Sequence, residues 1–320
     1  MILRHATLHQ LKIFTVLVRH LNMTRAAEEL HMTPAALSIQ IKQLSLAVGA
    51  PLHEQIGKRL FLTSTGRLVD AASRDIFKRL ERLASELAAA QGMERGTLKL
   101  SVVTTAKYFA PRLLGAFCKE HPGIDATLEV INRDHILERL KQNLDDLYIM
   151  GQVPEHLSVV AQPFMENPLV VVAPADHPLA SERNIDPARL ASEPFIQREP
   201  GSGTRLAAER FFEEHGVQLM VRMTLGSNEA VKQTVAAGLG VAILSQHALT
   251  LDAPSGAFAV LDVQGFPLLR QWYAVYPMMK QVSPITQAFL DYIAVEGATK
   301  TVAATPAARS ARFVSGGSGE

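Results

Sequence analysis

Six residues, Arg25 to Leu30, are all the chain allots to one helical segment before the next begins. Thr24 reads as its N-cap, and Glu28 opens its polar flank. His31 and Met32 make the turn. Thr33 is a second N-cap, and Pro34 takes the first helical position, where its missing N–H costs nothing. That second helix runs to about Val48 and stops at Gly49, with Pro51 beyond. A longer helix, Leu8 to Arg19, precedes the pair and aligns Leu8, Leu11, Phe14, Thr15 and Val18 on one face. Two helices joined by so tight a turn are a helix-turn-helix or an ordinary helical hairpin.

The residue pattern by itself leaves both open, but it sets out the positions a DNA-reading helix would use. Leu37, Ile41, Leu44 and Val48 fall on one face of the second helix and pack inward, while the small Ala27 allows close crossing. The opposite face presents Ala35, Ser38, Ile39 and Lys42, which let the backbone approach base edges in a major groove. A short apolar strand, Leu60 to Leu62, follows Gly57-Lys58-Arg59. A hairpin with two cations at its tip is a wing, suited to phosphate or minor-groove contact. The residues set against DNA are therefore Thr24, Thr33, Pro34, Ala35, Ser38, Ile39 and Lys42 from the helices, with Lys58 and Arg59 from the wing.

Charge agrees with this division. Residues 1–92 hold 12 Lys/Arg and 7 Asp/Glu, a balance of +5, whereas the remainder holds 20 and 24, a balance of −4. A basic head on an acidic body fits a nucleic-acid-binding module joined to something else. No uncharged apolar run reaches the roughly 18 residues needed to span a bilayer. The run Ile13 to Val18, flanked by Lys12 and Arg19, is too short for a secretory signal, so a cytoplasmic location is expected. A single cysteine, Cys118, excludes an internal disulfide and any multi-cysteine metal site.

From Gly66 to Gln91 there is no proline and no internal glycine. Val69, Ser73, Ile76, Leu80, Leu83, Leu87 and Ala90 repeat at alternating spacings of four and three, a coiled-coil seam. A seam between two domains favours dimerisation over a helix lying on its own domain. Gly92 and Gly96 mark the hinge that follows.

Beyond Thr97 strands and helices alternate. Strands are expected at Leu98–Thr104, Ala126–Ile131, Asp146–Met150, Leu169–Ala173, Phe195–Gln197, Met220–Leu225, Val241–Leu244 and Leu269–Tyr276. Helices are expected at Tyr108–Glu120, Asp134–Gln142, Thr204–His215, Glu229–Gly238 and Ile285–Val295. This alternation predicts parallel sheets with helical crossovers, in two α/β lobes around a cleft. Three strand-to-helix junctions carry small polar residues: Thr104 to Lys107, Arg198 to Arg205, and Gly226 to Glu229. Helix N-termini favour anions, and Arg binds a carboxylate or phosphate bidentately. The expected effector site is Thr104, Thr105, Lys107, Arg198, Gly201, Ser202, Gly203, Thr204, Arg205, Asn228 and Lys232, and the expected ligand is an anion, phosphorylated or multiply acidic.

The stretch "TRAAEEL", the helix "ALSIQIKQL" and the wing "PLHEQIGKRLFLT" resemble the winged helix-turn-helix of LysR-type transcriptional regulators. The segment from about Thr97 to Ala294 resembles that family's effector domain, which is similar to periplasmic binding proteins. The resemblance implies an N-terminal winged helix-turn-helix at 1–66, a dimerising linker helix at 67–92 and a two-lobed effector domain at 93–296. It places lobe I at about 97–166 and 269–296 and lobe II at about 167–268, while the small, polar, low-complexity composition of 297–320 predicts a disordered tail. Pro34 stands where the family usually has a DNA-contacting Gln, Ile39 where a long side chain is common, and His53 where an aromatic is usual.

"TTAKYFAPRLLGAFCKEHPG", "NRDHILERL", "PFMENPLVVVAPADHPLA" and "REPGSGTR" resemble one subgroup, the LysR-type activators of Calvin-cycle (RuBisCO) operons. For that subgroup the implied effectors are ribulose bisphosphate, phosphoenolpyruvate or NADPH, with no cofactor. The implied partners are operator DNA, an anionic metabolite, further copies of the chain and RNA polymerase, with no membrane. A LysR-type regulator of another operon is the nearest alternative. A solute-binding protein leaves the wing unexplained. An enzyme lacks its chemistry: no nucleophile–base pair or metal-ligand spacing occurs, Cys118 reads as a packing thiol, His135 as a solvated helix start, and "GLGVAI" lacks the dinucleotide context.

Overall fold

The computed structural model describes residues 5–57, 59–90, 95–249 and 257–303. It divides into two compact units between Leu87 and Ala88. None of the described helices is long and apolar enough to cross a membrane.

In the first unit, α1 (Leu8–His20) starts at Thr7. The Thr7 hydroxyl accepts from the Gln10 N–H and the Gln10 side chain accepts from the Thr7 N–H, so two helix-end donors are satisfied reciprocally. The helix ends on Leu21, in a left-handed conformation with φ 46°. That bend makes Asn22, rather than Thr24, the cap of α2 (Met23–Glu29): Asn22 Oδ1 accepts from the Arg25 N–H at 3.1 Å. Thr24 lies inside the helix, exposed. As expected, α3 (Pro34–Val48) begins on Thr33, which accepts from the Ala36 N–H, and ends on left-handed Gly49. Leu37, Ile41 and Leu44 pack against Ile13, Phe14, Leu17, Ala26 and Ala27. Strands β1 (His53–Ile56) and β2 (Arg59–Leu62) form the expected antiparallel hairpin. The long helix α4 (Ser64–Ala90) then starts hard against that hairpin. A Cβ at Gly66 would stand 1.9 Å from the Leu52 carbonyl oxygen, so this close approach requires glycine.

The seam of α4 splits in two. Val69 packs on the helix-turn-helix core and Ser73 is buried, its hydroxyl donating to the Val69 carbonyl at 2.6 Å. Ile76, Leu80, Leu83 and Leu87 are exposed. The side chain of Ala90 and all of Gly92 lie outside the described residues.

The second unit holds two five-stranded sheets. Lobe I contains β3 (Gly96–Val103), α5 (Ala110–Glu120), β4 (Ile124–Ile131), α6 (Arg133–Lys141), β5 (Leu147–Met150) and β6 (Val159–Glu166). Lobe II contains β7 (Leu169–Pro174), β8 (Pro194–Arg198), α7 (Gly203–Glu214), β9 (Met220–Leu225), α8 (Asn228–Ala236), β10 (Val241–Ser245) and β11 (Phe258–Leu261). The chain then returns to lobe I through β12 (Gln271–Pro277) and α9 (Pro284–Ala303). The strand orders are β4-β3-β5-β12-β6 and β11-β7-β10-β8-β9.

These sheets are mixed, which corrects the expectation of parallel ones. β3 runs parallel to β4 and β5, and β8 parallel to β9 and β10. β12, however, is antiparallel to β5 and β6, and β7 to β10 and β11. A strand that has just crossed between lobes enters from the hinge end, against strands delivered by helical crossovers. The strands expected from the sequence do not include β11 or β6, the latter carrying Pro163. At the edge of the sheet a missing N–H is tolerated. The last helix runs to Ala303, past Gly297 where the tail was expected to begin, and residues 304–320 lie outside the described residues.

Candidate functional site

In the first unit, one face of α3 is open to solvent. Pro34, Ala35, Ser38, Ile39 and Lys42 are all exposed, as are Thr24 and Thr33 beside them. Arg59 is exposed at the start of β2, two residues after Gly57 with φ 63°. Lys58 lies outside the described residues.

In the second unit a pocket opens between the lobes. Lobe I contributes Val103, Thr104 and Thr105 from the end of β3, Asn132 and Arg133 from the start of α6, and Met150, Gly151 and Gln152 from the end of β5. Lobe II contributes Glu199 and the start of α7, Ser202 to Thr204, while the crossing segments supply Asn167, Arg270 and Trp272. Two true helix N-termini therefore meet here, α6 capped by Asn132 and α7 by Ser202, the latter with no side-chain cap bond. Arg270 donates to the carbonyls of Gly203 at 2.9 Å and Gly151 at 2.7 Å, fastening both walls. Three buried polar atoms in the lining lack any partner: Arg133 Nε, Gln152 Oε1 and Trp272 Nε1. Burial holds the Arg133 and Arg270 guanidinium groups below their ordinary values, and for Arg270 the neighbouring Arg133 and Arg210 push the same way. A buried donor left unpaired is costly, and two cations in one pocket repel. An anion would relieve both. Among the described residues no cluster could hold a metal ion.

Four other sequence-predicted site residues, Lys107, Arg198, Asn228 and Lys232, take part in contacts between the lobes. The Arg198 guanidinium is 3% exposed and fully engaged: it donates to Glu199, to Asn228 and to Thr104 Oγ1. Asn228 Nδ2 in turn donates to Thr105 Oγ1 at 3.1 Å. On the neighbouring surface the Tyr108 hydroxyl donates to Glu229, whose carboxylate also takes Lys232 at 2.9 Å and Lys107 at 3.5 Å. Both ammonium groups lie about 5 Å from the Tyr108 ring centre, Lys107 at 5.0 Å and Lys232 at 5.1 Å. Burial raises the Glu229 carboxyl, but the Tyr108 and Lys232 hydrogen bonds with the two lysine charges outweigh it and leave it below its usual range.

The residues 8–67 match the family described as bacterial regulatory helix-turn-helix protein, lysR family, and residues 91–297 match the LysR substrate binding domain. The chain belongs to the LysR family of transcriptional regulators. It is 59% identical over 293 residues to the RuBisCO operon transcriptional regulator of Acidithiobacillus ferrooxidans, covering 92% of this chain and 95% of that one. It is 48% identical over 291 residues to the HTH-type transcriptional activator CmpR of Synechocystis sp., covering 91% and 96%. The solved regulatory domain of Synechocystis CcmR, in complex with 2-PG, is 49% identical, with a TM-score of 0.62 over 63% of this chain and 98% of that one.

Within this LysR-type regulator, Thr104, Thr105, Ser202, Gly203 and Thr204 line the pocket as the sequence reading placed them. Lys107, Arg198, Asn228 and Lys232 do not line it, because their polar atoms are spent on the contacts between lobes. Arg205 points away, paired with Glu209 at 2.7 Å and with the Arg198 carbonyl. Gly201 has φ 82° and lies against the Asp134 carboxylate beside the pocket. Sequence reasoning missed Asn132 and Arg133, although they follow a strand and open a helix by the same rule as the three junctions chosen. It also missed Gln152, Arg270 and Trp272, which only the crossing of the chain between lobes brings there. Cys118 is a half-buried thiol packed on the lobe I core, and burial pushes its pKa up. His135 is exposed at the start of α6, bonded to Asn132.

Proposed function

We propose that this LysR-type regulator controls a carbon-fixation operon, as an activator, in answer to a small phosphorylated or carboxylated anion held between the lobes. Similarity along nearly the whole chain to a RuBisCO operon regulator supports the target. One observation carries the ligand class: Arg133 and Trp272 line the pocket, and Arg133 Nε and Trp272 Nε1 are buried donors without acceptors. The anion seen with the related CcmR domain is 2-PG, which makes it the first probe to use. The free volume of the pocket is about 30 Å³, room for a couple of waters, so an organic anion enters as the lobes part or Arg133 turns aside. Such a ligand favours one lobe arrangement and the regulator's affinity for DNA changes with it, in proportion to its differential affinity for the two arrangements. The exposed apolar stripe of α4 serves self-association, the site of action is the cytoplasm, and RNA polymerase is the partner through which activation is read out.

The test is a gel shift on the DNA upstream of the host's carboxylase operon, with and without 2-PG, ribulose bisphosphate, phosphoenolpyruvate and NADPH. Binding that is specific to this DNA and altered by one of these anions is the expected result. Binding elsewhere, with none on this DNA, refutes the target. A response to a neutral ligand in place of every anion refutes the ligand class.

A further inference from the structure

The outward face of α3 carries Ala35, Ser38, Ile39 and Lys42 at spacings of three, one and three residues, one helical face. Ser38 and Lys42 can hydrogen-bond to base edges. Ile39 cannot, and neither can Pro34 at the helix start. Yet Ile39 is 55% exposed, while Leu37 and Ile41 on either side of it are buried in the core. An aliphatic side chain that a helix holds out of its own core is placed to meet something apolar. In the major groove every base pair offers hydrogen-bond donors and acceptors, and an isoleucine set against one of these leaves it dehydrated and unpaired. Thymine alone adds a methyl group there. The small Ala35 and Ser38 beside it let the helix backbone come close. Isoleucine is also stiff at χ1, so it loses little rotamer freedom when seated.

We propose that Ile39 selects binding sites by seating on the 5-methyl group of a thymine, so that at this base pair the regulator reads a methyl group rather than a hydrogen-bonding edge. The contact is uncharged. Its contribution is therefore insensitive to salt, unlike any phosphate contact made by Lys42 or Arg59. The inference rests on DNA reading by α3 and on neither the operon nor the effector proposed above.

The experiment keeps these apart by using DNA chosen by the protein itself. A duplex is selected from a random pool with the full-length chain, and each thymine in its footprint is then replaced singly by deoxyuridine, which removes the methyl and keeps the pairing. In the wild type, one thymine in each half of the site is expected to show a loss of about fourfold, the worth of one buried methyl-sized group. The loss should be the same at low and high salt. In Ile39→Ala, which removes the contact in both halves at once, the thymine duplex should bind about 16-fold more weakly, and deoxyuridine at either position should make no further difference. Ile39→Val should retain the sensitivity. Thermal unfolding of each variant should match wild type, since the side chain is outside the core. The proposal is overturned if no thymine is sensitive in the wild type, or if Ile39→Ala remains as sensitive as wild type. A loss in Ile39→Ala that is equal for all sequences also overturns it.

Discussion

Replacing Arg133 by methionine should make the empty regulator more stable and its response to an anion much weaker. The two effects have one origin. Arg133 keeps Nε buried without a partner and faces Arg270 across the pocket. An unsatisfied buried donor costs about 1–3 kcal/mol, and because the Arg133 side chain is only half-buried the lower end, about 1 kcal/mol, applies. Methionine keeps the stem and removes the charge. For a domain of this size about 1 kcal/mol moves Tm by about 2–4 °C, so the unliganded variant should melt that much higher. With 2-PG at about 100 times Kd, the wild type gains about 2.7 kcal/mol, a rise of about 5–11 °C. Loss of a charge-assisted hydrogen bond worth about 1.5–3 kcal/mol raises Kd by about 10–150-fold. The same concentration of ligand then stabilises the variant by only about 0.3–1.4 kcal/mol. Thermal scans of both proteins, with and without 2-PG, read the four numbers directly. If the variant melts lower when empty, or gains as much from the ligand as wild type does, Arg133 is not the anion's donor and the reasoning from its unpaired nitrogen fails.

The Tyr108–Glu229–Lys232 cluster predicts an acid-sensitive link between lobes. Its carboxyl titrates below the ordinary range, so its stabilisation is complete above the unfolded value of about 4.3 and fades as pH falls through the lower folded value. Glu229→Gln should flatten that part of the stability profile followed by urea unfolding at stepped pH, and a profile as steep as wild type would exclude Glu229 as its source. On α4, Leu83→Asp places a carboxylate in the exposed stripe. Sedimentation should show a smaller species, whereas an unchanged oligomer would mean that this stripe is not the interface.

What could be read from the sequence was whatever depends on neighbours in the chain. Thr33, Pro34 and Gly49 announce the limits of α3 because caps, a first-turn proline and a left-handed glycine act locally. Thr24 misled because Asn22, two residues earlier, caps equally well, and the choice was made by the left-handed bend at Leu21. Strand β6 carries Pro163, which is harmless there because β6 lies at a sheet edge, and edge position is a property of topology. The pocket shows the same divide. Thr104 and Ser202 to Thr204 were found because strand-to-helix junctions advertise themselves, whereas Arg270 and Trp272 reach the pocket only because the chain crosses back at β12. The basic residues Lys107, Arg198 and Lys232 looked available for a ligand. Lys107 meets Glu229 and Arg198 meets Asn228 across long stretches of sequence, which charge counting cannot reveal, whereas Lys232 and Glu229, three apart on one helix, are a local pair.

The lobes are joined by two short crossings, and the crossings hold each other: the Asn167 N–H donates to the Arg270 carbonyl at 2.7 Å, and Leu169 and Leu268 exchange a pair of backbone hydrogen bonds. The pivot is thus a small two-stranded ribbon, and Arg270 and Asn167 belong both to it and to the pocket lining. A ligand bound there would act at the fulcrum. Force applied beside a fulcrum has a short lever arm, so it must come from strong, well-placed bonds. In return, a displacement of a fraction of an ångström beside Arg270 would be multiplied at the far ends of both lobes by the ratio of their length to that arm. A small, highly charged molecule suits such a mechanism better than a large apolar one, because it concentrates its binding energy within the few ångströms where the lever is stiffest.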